Sequence, residues 1–192
     1  MVTTHPSLTV DQPCGAIVRD YFSDFLQDES GKRHMVLYTA GYEGLSFEAF
    51  LARLKQAQID KVLDVREYPV SRKPGFSKKA FAQRLADAGI AYEHSPPLGC
   101  PKPIRNRYKV DGDWGQYAQD FRSYVRTLND VLLSLAVDAT GQRICMVCYE
   151  ADPNHCHRSL IAEAVKELDA TSETRHLPLK IETFADLLRA VA

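Results

Sequence analysis

Residues 144–159 read ICMVCYEADPNHCHRS, and this stretch decides how the fold and the functional site are interpreted. It begins as an apolar segment typical of a buried strand and passes through a polar turn at residues 152–154. The chain then continues over residues 160–168 with the apolar spacing of a helix. In open α/β sheets, a loop of this kind lies at the carboxyl end of a strand, where ligands bind. We therefore expect its thiols, imidazoles and guanidinium to lie where chemistry takes place.

Length and composition are those of a single soluble domain. The chain has 192 residues, of which 45% are apolar and 26% charged, close to globular averages. A net charge of −1 argues against a protein that coats nucleic acid or a membrane surface. No apolar run approaches the ~18 residues of a membrane span, and the N-terminus lacks the features of a signal peptide. Five unevenly spaced cysteines do not form a secreted disulfide framework, so we expect a cytoplasmic protein.

Apolar patterns alternate between strand-like and helical segments along most of the chain. Strands are predicted at 36–42, 61–66, 90–94, 143–149 and near 175–179. Helices are predicted at 47–58, 78–88, 114–136, 156–168 and 184–191. This alternation predicts a three-layer α/β fold, with a mainly parallel sheet of about five strands and helices on both faces.

The chain divides into a single α/β domain over residues 36–192 and an N-terminal helical extension over residues 1–35. The extension has a helical apolar stripe that could pack on the domain or on a second subunit, so a homodimer is an open expectation. A second irregular region is expected at residues 99–113. Its two prolines, its Gly-Asp pair and its charges predict a mobile lid over the site rather than a regular element.

Four residues of the loop are candidates for catalysis: Cys148, Glu150, Cys156 and His157. Cys148 and Glu150 are two residues apart, so they point to the same side if the strand runs that far. Cys145 then points the other way, into the core, as a structural thiol.

Cys156 opens the following helix. A thiol at a helix N-terminus lies near the positive end of the helix dipole, and a neighbouring His157 or Arg158 lowers the thiol pKa further. A reactive thiolate at Cys156 is therefore predicted, with Glu150 as general base or orienting carboxylate. Cys148 is then either a resolving thiol or the nucleophile itself. The free N–H groups of the first turn and Arg158 form an anion cradle. The simpler alternative to a reactive site is that Cys156 is merely packed in the core and that Arg158 binds a carboxylate and so fixes the loop.

Positive charge is concentrated in residues 66–109, which hold ten Lys or Arg against three Asp or Glu. A solvated basic face and a site for an anionic ligand both explain this. Candidate substrate-binding residues stand at strand ends and in the basic loops: Gly41, Tyr42, Arg66, Arg72, Lys102, Arg105 and Arg158.

The residues carry a family resemblance. The motifs are TAGYEG at 39–44, DVR at 64–66, Pro69, Ser71, Arg72, FSK at 76–78, LG at 98–99, PK at 101–102, Arg105, DGD at 111–113 and CYEADPNHCHR at 148–158. Together they resemble the domain of unknown function 488 family, over about residues 36–180. The resemblance implies a shared fold and pocket but no established reaction. It marks these signature positions without roles: Arg66, Cys148, Glu150, Cys156, His157 and Arg158.

A fainter similarity is to rhodaneses. Residues 64–67 read DVRE, similar to a rhodanese strand, and the rhodanese cysteine also follows a parallel strand. Rhodaneses place about four residues between that cysteine and an arginine, whereas nine separate Cys148 from Arg158 here. The persulfide-binding loop of that family is therefore not assumed.

Three function classes stay open. The first is a cysteine-dependent transferase or hydrolase that acts on an anionic, phosphate-bearing or sulfur-containing small molecule without a metal ion; the sequence identifies no cofactor. The second is a metal site built from Cys148, Cys156 and His157, although adjacency could keep Cys156 and His157 from sharing one ion. The third is a nucleic-acid module that uses the basic region with Tyr68, Phe76 and Tyr108.

Overall fold

The computed structural model describes residues 35–178. The predicted N-terminal extension, up to residue 34, and the helix predicted at 184–191 lie outside the described residues. The division of the chain into an extension and a domain therefore stays a prediction.

Five strands and six α-helices alternate along the described chain. The strands are β1 Val36–Gly41, β2 Lys61–Asp64, β3 Ala91–His94, β4 Ile144–Cys148 and β5 Glu173–His176. The α-helices are α1 Phe47–Gln56, α2 Lys78–Asp87, α3 Lys102–Asp111, α4 Trp114–Val125, α5 Asn129–Gly141 and α6 His157–Leu168. Two short 3₁₀ turns occur at Pro96–Leu98 and Pro153–His155. Within residues 35–178, no helix is long and apolar enough to cross a membrane.

The strands form one sheet in the order β3-β2-β4-β1-β5, with all neighbours parallel. The predicted three-layer α/β fold with a five-stranded parallel sheet is confirmed. Strand β4 lies between β1 and β2, and Cys148 is in register with Gly41. On its other side, Val147 is in register with Asp64. The loops after β1, β2 and β4 therefore meet at one edge of the sheet, which is where the candidate residues lie.

One face of the sheet carries an aromatic core beneath α1 and α2. Tyr42 stacks on Phe76 with ring centroids 4.1 Å apart, and Phe50 and Phe81 pack around this pair. Cys145 belongs to the same buried cluster, as expected for a structural thiol. Burial of these large side chains is the main source of stability on this face.

The opposite face is covered by α5 and α6, and α4 packs against α6. Strand alternation explains the split, because Cys148 is three residues beyond Cys145 and faces the other way. On this side Arg158 of α6 reaches Thr39 of β1. The loop between β4 and α6, residues 149–156, is thus held between α6 and the sheet.

The prediction of an irregular segment over residues 99–113 is wrong, because Lys102–Asp111 is the helix α3. Pro101 is the N-cap and Pro103 lies in the first turn, where a proline costs no intrahelical hydrogen bond. Gly112 ends the helix with a left-handed φ of 66°, and its N–H donates to the Tyr108 carbonyl. The prolines and the glycine mark the ends of a helix here.

The single helix predicted at 114–136 is also wrong, because it is divided into α4 and α5. Amides of Thr127 and Leu128 donate to carbonyls only three residues back. The Thr127 hydroxyl donates to the Tyr124 carbonyl, 2.7 Å away. Such side-chain bonds compete with the helical pattern, and the chain turns before α5 begins at Asn129.

Candidate functional site

Four side chains between the end of β4 and the start of α6 converge at the sheet edge. The donor atoms of Cys148, Glu150, Cys156 and His157 all lie within 4.8 Å of one another. His157 Nδ1 lies 3.6 Å from Cys148 Sγ and 3.9 Å from Cys156 Sγ. Glu150 Oε2 accepts from both thiols, at 2.8 Å from Cys148 Sγ and 3.2 Å from Cys156 Sγ. The two thiols and the imidazole are buried, while Glu150 is half-buried.

Local structure explains this convergence. Cys148 is the last residue of β4 and Cys156 is the N-cap of α6, as predicted. The extended backbone of Cys156, with φ −139° and ψ 138°, turns its side chain back towards Cys148. His157, the first residue of the helix, also points its Nδ1 atom at both sulfurs. Adjacency therefore does not keep the Cys156 and His157 donors apart.

The second ring nitrogen of His157 is held by the neighbouring strand segment. Its Nε2 atom lies 2.8 Å from the Val65 carbonyl oxygen, which can only accept. Nε2 therefore carries the proton, and the ring also packs edge-on against Phe121. In the neutral ring this leaves a lone pair on Nδ1 facing the thiols; in the charged ring Nδ1 donates to a thiolate.

The two thiols ionise very differently. Burial raises the pKa of Cys148 well above its ordinary value, and the neighbouring Cys156 and Glu150 add to the effect. Burial also opposes ionisation of Cys156, but hydrogen bonds from Cys148 and His157 and the charge of Arg158 hold its pKa well below the ordinary value. Of the two thiols, Cys156 is therefore the one whose surroundings favour the thiolate.

The pKa values of Glu150 and His157 both depend on the negative charge of Cys156. Burial and the Cys156 anion raise the pKa of Glu150. Burial would lower the pKa of His157, but its hydrogen bond with Cys156 and the charge of Cys156 raise the pKa above its ordinary value. The cluster can thus act as a thiolate–imidazolium pair or as a set of metal ligands.

Arg66 lies beside the cluster in a buried network. Its Nε and Nη2 atoms donate to the Asp64 carboxylate at 2.7 and 2.5 Å. Its Nη1 atom donates to Tyr42 Oη at 2.8 Å and to the Phe76 carbonyl at 2.9 Å. Burial alone would lower the pKa of Arg66, but Asp64 raises it above the ordinary value. These contacts hold the loop after β2 in place.

Arg158 holds the cysteine loop from the other side. Its Nη1 and Nη2 atoms donate to the carbonyl oxygens of Glu150 and Ala151 at 2.6 and 3.0 Å, and Nε donates to Thr39 Oγ1 at 3.4 Å. The Glu150 carbonyl also lies against Gly41, where an added Cβ would be 1.8 Å from the oxygen. Only glycine allows this close approach of β1 to the loop.

The cluster lies in a cleft of about 800 Å³. Eight of the candidate residues line it: Tyr42, Arg66, Arg72, Arg105, Cys148, Glu150, Cys156 and His157. Gly41, Lys102 and Arg158 lie outside that lining, and Lys102 is exposed at the start of α3. Substrate binding by these residues stays a prediction.

Several residues of the cleft escaped the sequence analysis. Trp114, Tyr117 and His155 form part of the wall, and Cys100 lies near Tyr117. Helix α4, the 3₁₀ turn after β4 and the segment before α3 bring them together, and no local motif signals this. Phe76, proposed to stack on nucleic acid, is fully buried in the core and cannot do so.

Comparison with known proteins identifies a family but no characterised relative. No curated protein matches the chain, and no solved structure matches it. One family model matches residues 46–165, well over half of the chain, and its span includes β2 and the whole cysteine cluster. The chain therefore belongs to the family described as Domain of unknown function DUF488.

Proposed function

We propose that this protein is a zinc-dependent hydrolase, with Cys148, Cys156 and His157 as metal ligands and Glu150 as the proton carrier. The observation that supports this is the convergence of these four donor groups within 4.8 Å. Two thiols and one imidazole suit Zn²⁺, a borderline-soft ion that binds S and N ligands tetrahedrally.

The spacing of the donors fits such an ion. Tetrahedral zinc with Zn–S bonds of ~2.3 Å and Zn–N bonds of ~2.0–2.1 Å separates sulfur from nitrogen by about 3.6 Å. The distances from His157 Nδ1 to the two sulfurs are 3.6 and 3.9 Å. The Val65 carbonyl supplies the second contact that orients a metal-binding histidine, because it fixes the proton on Nε2.

Glu150 is suited to proton transfer rather than to binding zinc as a fourth ligand. It is the least buried of the four groups, and it lines the cleft. Its Oε2 atom is closer to the sulfurs than the ~3.5 Å expected between two zinc ligands. In zinc deaminases, which hold zinc with two thiolates and one imidazole, a neighbouring glutamate has this role.

These roles describe a hydrolytic step. Bound zinc would act as a Lewis acid at the floor of the cleft. Glu150 accepts a proton as a water oxygen forms a bond to the electrophilic atom of the substrate. It then delivers that proton to the leaving group as the old bond breaks, so that one water is consumed for each bond cleaved. Arg66 and Arg158 hold the loops that present these groups.

A thiolate enzyme without metal is the second candidate, favoured by the low pKa of Cys156 at the start of α6. In that mechanism, the Cys156 thiolate, stabilised by His157, would form a bond to the electrophilic atom of an anionic substrate as the bond to its leaving group breaks, and water would then release the bound group. With a disulfide substrate, Cys148 would be the resolving thiol: it would attack the mixed disulfide on Cys156 and expel the second substrate thiol. The rhodanese similarity, with Cys148 as the nucleophile, belongs to this class and stays a prediction.

Metal content and thiol reactivity distinguish the two. We expect one zinc per chain by elemental mass spectrometry after purification without chelator, and none in the Cys148→Ser or Cys156→Ser variants. The matched controls Cys100→Ala and Cys145→Ala, which alter thiols outside the cluster, should retain zinc. If circular dichroism shows that a serine variant has unfolded, Co²⁺ loading of the wild-type protein replaces it as the test. Two thiolates then give sulfur-to-metal charge-transfer absorption.

The zinc site would be excluded, and the thiolate enzyme favoured, if the wild-type protein took up no zinc or cobalt and its Cys156 were alkylated rapidly at neutral pH.

Hydrolysis itself is tested in isotopically labelled water. We expect the wild-type protein to form a product that carries the label. We expect the Glu150→Gln variant to form no labelled product although it still binds zinc. A labelled product formed equally fast by Glu150→Gln would contradict the role of Glu150.

A further inference from the structure

We infer that the cleft binds a nucleoside phosphate, with the base against the aromatic wall around Trp114 and the phosphate at Arg72 and Lys109. This deepens the proposed function by naming the substrate class, and it rests on that function only for the position of the reacting bond. Binding itself is argued from the walls of the cleft, apart from the cysteine cluster.

Exposed apolar side chains are concentrated at this cleft. Five large hydrophobic side chains are exposed in the described part of the chain, and three of them line it: Tyr68 at 63%, Val70 at 84% and Tyr149 at 46% exposure. An apolar rim around a cavity with polar groups is typical of a ligand site. The ligand must therefore present an apolar or aromatic surface as well as charge.

The aromatic wall suits a flat ring. Trp114 stacks on Tyr117 with centroids 4.8 Å apart and planes inclined by 20°. Tyr108 and His155 contact the same indole, with centroids 5.9 and 5.4 Å away. All four line the cleft, and Trp114 is only half-buried. Part of this aromatic surface therefore remains available for a planar ligand, and stacking on such a surface accepts any nucleobase.

Two cations in the cleft are available for an anion. Arg72 and Lys109 line the cleft and are exposed, and neither makes a hydrogen bond or ion pair with any residue of the described range 35–178. Arg105, in contrast, is paired with Glu67 at 2.6 Å.

The acidic groups of the lining already have partners. Glu43 accepts from the Ala151 amide at 3.0 Å, and Asp152 accepts from the Asn154 amide and contacts His155. Glu67 is held by Arg105, and Glu150 belongs to the cysteine cluster. Arg72 and Lys109 are therefore the charged side chains of the lining that have no partner among residues 35–178, and guanidinium and ammonium groups both bind phosphate.

Size decides between a mononucleotide and a longer strand. The cleft volume of about 800 Å³ is in the range of small-molecule sites, roughly 300–1,000 Å³. A single-stranded nucleic acid needs a basic groove that follows several successive phosphates. The two unpaired cations of this cleft suit a single phosphate group instead.

The test uses the fluorescence of Trp114, which is the single tryptophan of the chain. The four nucleoside monophosphates are titrated against wild-type protein, each with its nucleoside and with ribose 5-phosphate as partial ligands. We expect saturable quenching by at least one monophosphate with Kd of ~1 mM or below. The nucleoside or the sugar phosphate alone should bind at least ~10-fold more weakly, because each lacks one of the two contacts.

Variants assign the contacts. Arg72→Gln should weaken monophosphate binding ~10-fold, whereas Lys79→Gln, an exposed charge outside the cleft, should leave it unchanged. Trp114→Leu, followed by calorimetry, should weaken it about 5- to 150-fold. The inference is overturned if no monophosphate binds at ~10 mM, ten times the highest expected Kd. It is also overturned if an oligonucleotide binds while the monophosphates do not. The titration is repeated after chelation, so that loss of zinc and failure to bind nucleotide are separate results.

Discussion

The Nε2 atom of His157 lies 2.8 Å from the carbonyl oxygen of Val65. This one contact joins the start of α6 to the segment after β2 and leaves Nδ1 facing Cys148 and Cys156. A backbone carbonyl is a fixed acceptor, so the ring orientation does not depend on another mobile side chain. The geometry of the candidate metal site is thus established by the fold of the sheet edge.

Buried charge at this edge predicts a large effect of Asp64→Asn. The Asp64 carboxylate is fully buried and binds both Nε and Nη2 of Arg66. Removing its charge leaves a buried guanidinium uncompensated, which should lower the free energy of unfolding by about 3–5 kcal/mol in urea denaturation. The control is Glu48→Gln, which breaks the exposed pair with Arg84 and should have a far smaller effect on the free energy of unfolding. Equal losses in the two variants would contradict a structural role for the buried pair.

Close contact between β1 and the cysteine loop predicts that Gly41→Ala is destabilising. The new methyl group would lie 1.8 Å from the Glu150 carbonyl, so the loop must move. We expect a loss of about 1–3 kcal/mol in unfolding free energy, together with weaker zinc binding. Gly141→Ala is the matched control, since its added Cβ would meet no atom within 4 Å outside its own helix backbone and chain neighbours. Unchanged stability and zinc affinity in Gly41→Ala would show that the loop does not need this approach.

His176 predicts a pH dependence of stability. Partial burial of the ring, with a smaller contribution from the charge of Arg158, lowers the pKa of His176, whose Nδ1 lies 2.7 Å from Thr39 Oγ1. The folded state therefore favours the neutral ring. Its contribution to stability is complete above the unfolded pKa of about 6.5 and is lost as the pH falls from there through the folded pKa.

Chemical denaturation across this pH range provides the measurement. The wild-type protein should lose more unfolding free energy between about pH 7.5 and pH 5 than His176→Gln, which cannot bind that proton. Parallel pH profiles for the two proteins would contradict the assignment to His176.

Cys100 should be an unreactive thiol although it lines the cleft. Burial raises its pKa to about 11, and a hydrogen bond with Tyr117 offsets only part of the effect. At about pH 8 its thiolate fraction, and with it its alkylation rate, should be roughly two orders of magnitude below that of a free cysteine with a pKa of ~8.5. Mass spectrometry of iodoacetamide-treated protein, with a cysteine peptide as reference, gives the ratio. A rate close to that of the peptide would mean that the thiol is accessible and ionised.

The alternation of strands and helices was predictable from sequence, because it depends on local apolar spacing. The order β3-β2-β4-β1-β5 was not, since it depends on pairing between segments far apart in the chain. Helix α3 was missed because Pro101, Pro103 and Gly112 were interpreted as loop signals. Their positions at the two ends of the element are compatible with a helix. At the break after α4, the Thr127 and Leu128 amides and the Thr127 hydroxyl bond to carbonyls three residues back, and apolar spacing does not reveal such contacts.

The candidate site likewise has features that are predictable from sequence and features that are not. Cys148, Glu150, Cys156 and His157 lie in one short motif, so their proximity was predictable from strand alternation and from the start of a helix. The donors of Arg66 and Arg158 are directed to protein oxygens, including backbone carbonyls, and no side-chain pattern reveals a carbonyl acceptor. Trp114 and His155 meet across separate elements, so only the tertiary structure brings this aromatic wall together.

X-ray absorption at the zinc edge of the protein as purified tests the central claim most directly. We predict a four-coordinate ion with two sulfur ligands at ~2.3 Å and nitrogen or oxygen ligands at ~2.0–2.2 Å. A protein whose zinc has only oxygen and nitrogen ligands, or which binds no zinc when reconstituted, would contradict a metal centre formed by Cys148, Cys156 and His157.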